Sequence, residues 1–473
     1  MHRSTLASIE QEKQNPKKGF YKGTALVIAA FSSGFYSRIF CSLTRAPSAL
    51  NHLHFLAVPF ITAVILATAK PKERQQITVV QTLLVGLMIL FSVVIASSLL
   101  NDAGLVNAIF SFLILGSPFM LLAAIVCLPM SLESFGQFRQ WTIKSSFANI
   151  ILAFIQWPLL KFHKISAGGL DETDGMAGVF FVSGAGNYVS TTVSIYFGAY
   201  YLMFAKAAPL WLRAGTSLIA LFQLQLSDSK QVLFALFGGG VLLVLCTMKD
   251  VGKALTYVIG ITFLVVVFYW CIQNVEAFSG FKNYVNKGGV WGPDGEAARI
   301  KPIAFKIITS HFQSPLNWLL GLGPGHTVGR LGGWLLKENW AILGPLGATR
   351  HPASEDVLYE YFHSWLALES TMFCPMFGWA GIWGDIGFVG LGAYLFLAWV
   401  VWHYLCFDNF SKFLMLSTAT FGFVYTQMEE PGYMLYTASL IGLHWHERRA
   451  DKMQGEARSH VVLSPGNNSS PLS

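Results

Sequence analysis

Four histidines, three arginines, a run of glycines and several acids share one polar interval of this 473-residue chain, from about Gln273 to Trp383. Histidine is the natural proton acceptor near neutral pH, and the interval offers His311, His326, His351 and His363. An isolated loop histidine is more often merely solvated. His363 is set in Tyr359-Glu-Tyr-Phe-His-Ser-Trp365, where aromatic rings can exclude water and hold the imidazole, so it is the first choice as a general base and His351 the second. Arg299 opens the stretch to Gln313, and its planar fork suits phosphate oxygens better than an ammonium does. Lys230, in the turn Ser227-Asp-Ser-Lys-Gln231, is either a snorkelling lysine paired with Asp228 or a phosphate-binding cation. The run Gly321-Leu-Gly-Pro-Gly325 permits a tight turn and close backbone approach to a ligand, with His326 directly after it. It lacks the spacing of a Walker loop. Glu360, Asp385, Glu429 and Glu430 lie near the same surface, but no pair is spaced like a metal site or a glycosidase dyad, so no metal is expected.

These groups need elements to hold them. From Arg299 to Gln313 the period is helical: Arg299, Lys306, Ser310 and Gln313 share one face, and Ile300, Ala304, Ile307, Ile308 and Phe312 the other. Such a helix lies flat on a membrane or packs on a bundle, and its basic face is either solvated or aimed at an anionic ligand. The chain as a whole is 53% hydrophobic and only 12% charged, which describes an integral membrane protein. The net charge of +7 is scattered between apolar runs with no basic stripe, which argues against a nucleic-acid partner. Six cysteines lie far apart with neither disulfide nor metal spacing.

A helix needs about 20 apolar residues to cross the bilayer core. By that measure there are about twelve spans, in an all-α fold. They run from Gly23 to Phe40, His52 to Ala69, Ile77 to Leu100, Leu105 to Cys127, Trp141 to Leu160, Asn187 to Phe204, Pro209 to Leu226, Gln231 to Thr247, Ala254 to Ile272, Gly384 to Cys406, Phe413 to Gln427 and Met434 to Trp445. The chain thus divides into a tail (1–22), nine spans (23–272), a large loop (273–383), three spans (384–445) and a second tail (446–473), disordered from Gln454 onward. Nineteen Lys and Arg residues fall on one side of these spans and about five in the short loops of the other. The positive-inside rule then puts both termini in the cytoplasm and the large loop outside. No apolar region precedes a cleavage site near the start, so the first apolar segment is expected to stay in the membrane.

The order of these features resembles the bacterial O-antigen ligase and polymerase family: Lys230 in a short turn, Arg299 before an amphipathic helix, Leu320-Gly-Leu-Gly-Pro-Gly325, a later histidine, and Gly384-Asp-Ile-Gly-Phe-Val-Gly-Leu391 leading into a span. A fainter echo is Gly178-Val-Phe-Phe-Val-Ser-Gly-Ala-Gly-Asn187. The likeness is strongest from about Asn187 to Leu397. It implies a glycosyltransferase of the C-type fold in the bacterial inner membrane, needing no cofactor. The implied donor is an undecaprenyl-diphosphate-linked glycan, and the acceptor a glycan, lipid or protein at the outer face. It further implies that Arg299 and Lys230 hold the diphosphate and that His363 with Ser364 activates the acceptor hydroxyl. Gly321, Gly323, Gly325, His326, His351, Lys306 and Asp385 would line the substrate site. The chain departs from the family where lysine stands for arginine at 230, serine for asparagine at 364, and in the distance from His363 to Asp385. The rival reading is a polytopic transporter for an anionic or lipid-linked substrate, which would place ionisable groups near the bilayer midplane.

Overall fold

The computed structural model describes residues 18–71, 73–168, 171–247, 251–275, 282 and 289–462. Among them every regular element is helical. The first part of the chain supplies α1 (Lys18–Phe35), α2 (Ser37–Thr44), α3 (His54–Thr68), α4 (Arg74–Leu100), α5 (Leu105–Cys127), α6 (Leu132–Lys161), α7 (Gly186–Phe204), α8 (Leu210–Leu226), α9 (Lys230–Thr247) and α10 (Val251–Asn274). Each apolar segment read from the sequence falls on helix, though the first is split in two and others run well beyond the bounds read, α6 starting at Leu132 and α18 ending at Val462. Among the described residues six helices are long and apolar enough to cross a membrane, or seven if a bent pair counts as one, so the protein is membrane-embedded.

The bent pair is the first apolar segment, which turns by 63° between Phe35 and Ser37 instead of running straight to Phe40. A small-residue run, Ser32-Ser33-Gly34, precedes the bend, and Ser33 Oγ turns back to the Ala30 carbonyl at 2.7 Å. The helix α7 owes its lower apolarity to Ser190, Thr191, Thr192 and Ser194, all fully buried. Their hydroxyls work between helices: Asn149 Nδ2 donates to the Ser190 carbonyl (3.0 Å) and Ser194 Oγ (2.9 Å), and Gln223 Nε2 to Ser190 Oγ (2.9 Å).

The interval expected as a loop is folded, as far as it is described. It holds α11 (Glu296–Ile300), α12 (Ile303–Ser310), α13 (Leu316–Leu320), a π-helical turn Leu331–Leu335 continued by Leu336–Glu338, α14 (Pro352–His363) and α15 (Trp365–Glu369). Residues 276–281 and 283–288 of that interval lie outside the described ones. The single helix expected from Arg299 to Gln313 is broken at Lys301-Pro302, where the proline has no N–H to continue the ladder. Its apolar face holds nonetheless, with Ile300, Ala304 and Ile308 fully buried. His351 and Ser364 cap the starts of α14 and α15, accepting from the Ala353 and Ala367 amides.

Three long helices close the fold: α16 (Gly378–Tyr404), α17 (Asn409–Val424) and α18 (Pro431–Val462). They return to pack on earlier ones, α16 on α4, α17 on α9, and α18 on α5 and α1. The start of α16 lies six residues before the boundary read at Gly384, because Ala380 and Trp383 bury against the folded interval beside Ala304, Ile308 and Val357. At the other end α18 continues well past Trp445, through residues expected to be disordered from Gln454. That stretch is rich in Ala, Arg, Glu, Lys, Met and Gln, all strong helix formers. Residues 463–473 lie outside the described ones.

Candidate functional site

The break before Pro302 turns Arg299 toward α14. Its Nε and Nη2 donate to both carboxylate oxygens of Glu296, one turn earlier, at 3.0 and 2.9 Å. Its Nη1 donates to Glu360 Oε2 at 2.7 Å. Glu360 precedes His363 by one turn of α14, so the two side chains share a face. Ser364 Oγ donates to Glu296 Oε1 at 2.6 Å, closing the group. Arg299, Glu360 and the buried Ser364, all marked in the sequence, are therefore joined through this group, with His363 one turn beyond Glu360 on α14. Glu296 is the member the sequence reading missed; a carboxylate one turn ahead of the arginine was the available signal. The hydrogen bonds Arg299 donates to Glu296, then to Glu360, raise the guanidinium pKa, and the same contact with Arg299 lowers that of Glu296.

His363 is exposed at the C-terminal end of α14. A carbonyl oxygen only accepts, so the 2.7 Å contact with the Tyr359 carbonyl fixes the proton on Nδ1. The Tyr359 ring lies 3.9 Å away, centroid to centroid. Nε2 is left with its lone pair outward and no partner among the described residues.

The other histidines form a separate stack. His326 is 3% exposed; its Nδ1–H donates to the Leu322 carbonyl and its Nε2 accepts from Thr349 Oγ1, both at 2.8 Å. Burial pushes its pKa down to about 4. His351 lies ring to ring with His326 and edge-on to His311, with 5.2 Å between centroids in each case, and its Nδ1 is occupied as the cap of α14. His311 pairs with Asp356 at 2.9 Å. Among the described residues no group of His, Cys, Asp and Glu is placed to hold a metal ion. The rise of α14 puts His351 roughly 18 Å from His363.

Lys230 begins α9 and pairs with Asp228 Oδ1 at 2.5 Å. Between α9, α11 and α17 lies a cavity of ≈ 520 Å³, walled by Phe234 and Ala235, by Ala297 and Ala298, and by Thr420, Phe423 and Val424. Phe234 is one turn beyond Lys230, and Ala298 adjoins Arg299. Lys301 lines the same cavity and is a cation the sequence reading passed over. Its Nζ donates to the Cys374 and Val424 carbonyls at 2.7 and 2.8 Å, and burial lowers its pKa to about 8. Lys306 is exposed on α12.

The glycine run approaches the backbone of α16. The Leu322 and Gly323 amides donate to the carbonyls of Gly384 (2.8 Å) and Asp385 (3.0 Å). A Cβ on Gly321 (φ 72°) would come within 2.4 Å of the Asp385 backbone, and one on Gly387 (φ 66°) within 2.2 Å of the Leu319 backbone. The Asp385 side chain accepts from the Gly325 amide (2.8 Å), the Thr327 amide (2.9 Å) and Thr327 Oγ1 (2.6 Å). Gly325 (φ 72°) and Gly323 (φ 107°) complete the turn over that carboxylate. The close approach made here is between two parts of the chain, and Asp385 is the anchor.

Beyond the run, Arg330 enters the bundle. Its guanidinium pairs with Glu430, and its amide donates to Glu429 Oε2 at 2.8 Å. Burial lowers the Arg330 pKa to about 10 and pushes the Glu429 carboxyl up to about 8. Arg38 of α2, His52 and His54 are electrostatically coupled to this group. His54 is 1% exposed, with both ring nitrogens shut off from solvent. No sequence motif marks this junction. The available signal was a charge inside or beside an apolar segment, at Arg38 and at Glu429-Glu430.

Compared with known protein families, characterised proteins and solved structures, the chain matches none.

Proposed function

We propose that this protein transfers a glycan from an undecaprenyl-diphosphate carrier to an acceptor hydroxyl at the outer face of a bacterial inner membrane, as the O-antigen ligase and polymerase family does. The observation that supports this reading is the cavity between α9 and α11, with Lys230 one turn from its α9 wall and Arg299 beside its α11 wall. A carrier's apolar chain fits such a wall, and its diphosphate then meets a cation from either side. Fixed cations at the edge of a low-dielectric region interact with developing charge far more strongly than in water. The diphosphate takes Arg299 Nη1 from Glu360, while Glu296 keeps the other edge of the guanidinium oriented. His363 Nε2 accepts the proton of the acceptor hydroxyl, whose oxygen forms the new bond to the anomeric carbon. The anomeric carbon–phosphate oxygen bond breaks, and the leaving diphosphate keeps its electron pair.

Arg299→Ala and Lys230→Ala are each expected to lower transfer by about 100- to 1,000-fold, the usual cost of losing one donor to developing charge. Lys230→Arg retains activity. Full activity in Arg299→Ala would sink the two-cation clamp.

Twelve spans with cytoplasmic termini belong to this proposal. Its support is the meeting of four segments expected in the cytoplasm, near Leu132, Lys206, Asp408 and Glu447, at one end of the bundle. Cysteines placed singly at the exposed positions Gln313 and Arg74 of a cysteine-free variant test it. Position 313 should react with an impermeant maleimide in intact cells and position 74 only after permeabilisation; the reverse pattern overturns the orientation.

One observation favours the transporter reading. Asp385 and Glu429 both face a void of ≈ 10 Å³ in the bundle interior, room for about one water. Glu429→Gln should stop proton-coupled transport and leave glycan transfer intact, which separates the two.

A further inference from the structure

A second cavity, of ≈ 410 Å³, opens where α6 begins, α7 ends and α18 leaves the bundle. Its inner wall is an ion-pair group. His444 has Nε2 at 2.9 Å from Asp408 and Nδ1 at 3.1 Å from Glu447, a geometry in which only the doubly protonated ring donates to both. Arg139 Nε lies 3.1 Å from Glu447, which also accepts from the Tyr200 hydroxyl. The two carboxylates are therefore matched by two cations. Lys206 and Arg448 remain on the rim, both exposed, and neither meets a carboxylate among the described residues. Arg448 is instead held over the Phe407 ring at 4.9 Å. The remaining wall is apolar, made by Leu132, Phe135 and Phe204.

We propose that this cavity binds an anionic membrane phospholipid, its phosphate between Lys206 and Arg448 and the start of an acyl chain against Leu132, Phe135 and Phe204. Two features select that class over a soluble anion. The excess positive charge sits beside an apolar wall, and it sits at the bundle end where the charge pattern puts the cytoplasmic leaflet, whose anionic lipids attract Lys and Arg. The negative charge of Glu447 is already used by Arg139 and His444, so it does not repel the headgroup. The site stands apart from the proposed transfer chemistry and does not depend on it.

Binding of fluorescent phosphatidylglycerol to the purified full-length protein in neutral detergent tests this, with phosphatidylcholine and inorganic phosphate as competitors. Lys206→Gln with Arg448→Gln should weaken binding by about 30-fold, the effect of removing two cations near an anionic headgroup, at unchanged melting temperature. The pair Lys70→Gln and Arg74→Gln, which removes the same charge from another surface of that end, should leave binding as it was. Equal loss in both pairs, or competition by phosphatidylcholine as effective as by phosphatidylglycerol, overturns the site. Competition by inorganic phosphate at the same concentration as the lipid makes it a site for free phosphate and overturns the lipid assignment.

Discussion

His363→Ala lowers turnover of a lipid-linked donor by about 100- to 10,000-fold, the range for losing a positioned general base, while donor binding stays nearly unchanged. The expectation rests on the tautomer. A histidine whose Nδ1–H is committed to a carbonyl presents Nε2 as a lone pair, the form a base needs, and the Tyr359 carbonyl at 2.7 Å makes that commitment. The ring also lies against that of Tyr359, tilted by 31° with 3.9 Å between centroids. Its neighbour one turn back, Glu360, touches Arg299, which puts base and cation on one surface. His326 and His351 lack this disposition. His326 spends both nitrogens inside the fold, and His351 spends Nδ1 capping α14. His326→Ala should therefore reduce stability by about 1 to 3 kcal/mol, through the donors and acceptors left unpaired, and the surviving folded fraction should turn over normally. His351→Ala should have a mild effect of the same kind. Loss of turnover in His351→Ala with full activity in His363→Ala would move the base to the histidine stack. Full activity in all three variants means that histidine does not serve as the base.

What could be read from the sequence divides by the range of the interaction involved. Apolar length located the helices because backbone groups in lipid have no partner outside their own helix. Arg299 and His363 were each marked by their local setting, but the contact that links their helices, Arg299 with Glu360, spans 61 residues and no local rule names it. The glycine run shows where such reading stops. Gly321, Gly323 and Gly325 announce a close approach, but the sequence does not say to what. The partner is the backbone of α16, with Asp385, already noted as an acid, closing the turn. The junction of Arg330 with Glu429 and Glu430 was further out of reach. Its members are about a hundred residues apart, and nothing in the local pattern of either segment names the other. Arg38 adds a half-buried charge from α2, which turns away from α1 by 63°.

Arg330→Ala is expected to cost about 3 to 5 kcal/mol of stability, the usual penalty for removing one partner of a buried ion pair. Glu430 is 4% exposed, and without the guanidinium its carboxylate has neither water nor a counter-charge. The penalty falls on the orphaned charge, so removing that charge as well should return much of the loss. Arg330→Leu combined with Glu430→Leu should melt above Arg330→Ala, because packed apolar side chains often match or exceed a buried pair. The measurement is the melting temperature of the purified protein in detergent, for wild type, both single variants and the double. Arg330→Ala melting with wild type would mean that water reaches Glu430 and that the junction is open. Transfer activity in the double variant then carries a separate meaning. If the pair serves only to fasten the folded interval onto the bundle, the stable double variant keeps its activity. If the double variant is stable and inactive, the buried guanidinium itself takes part, and the buried His54 becomes the next side chain to replace.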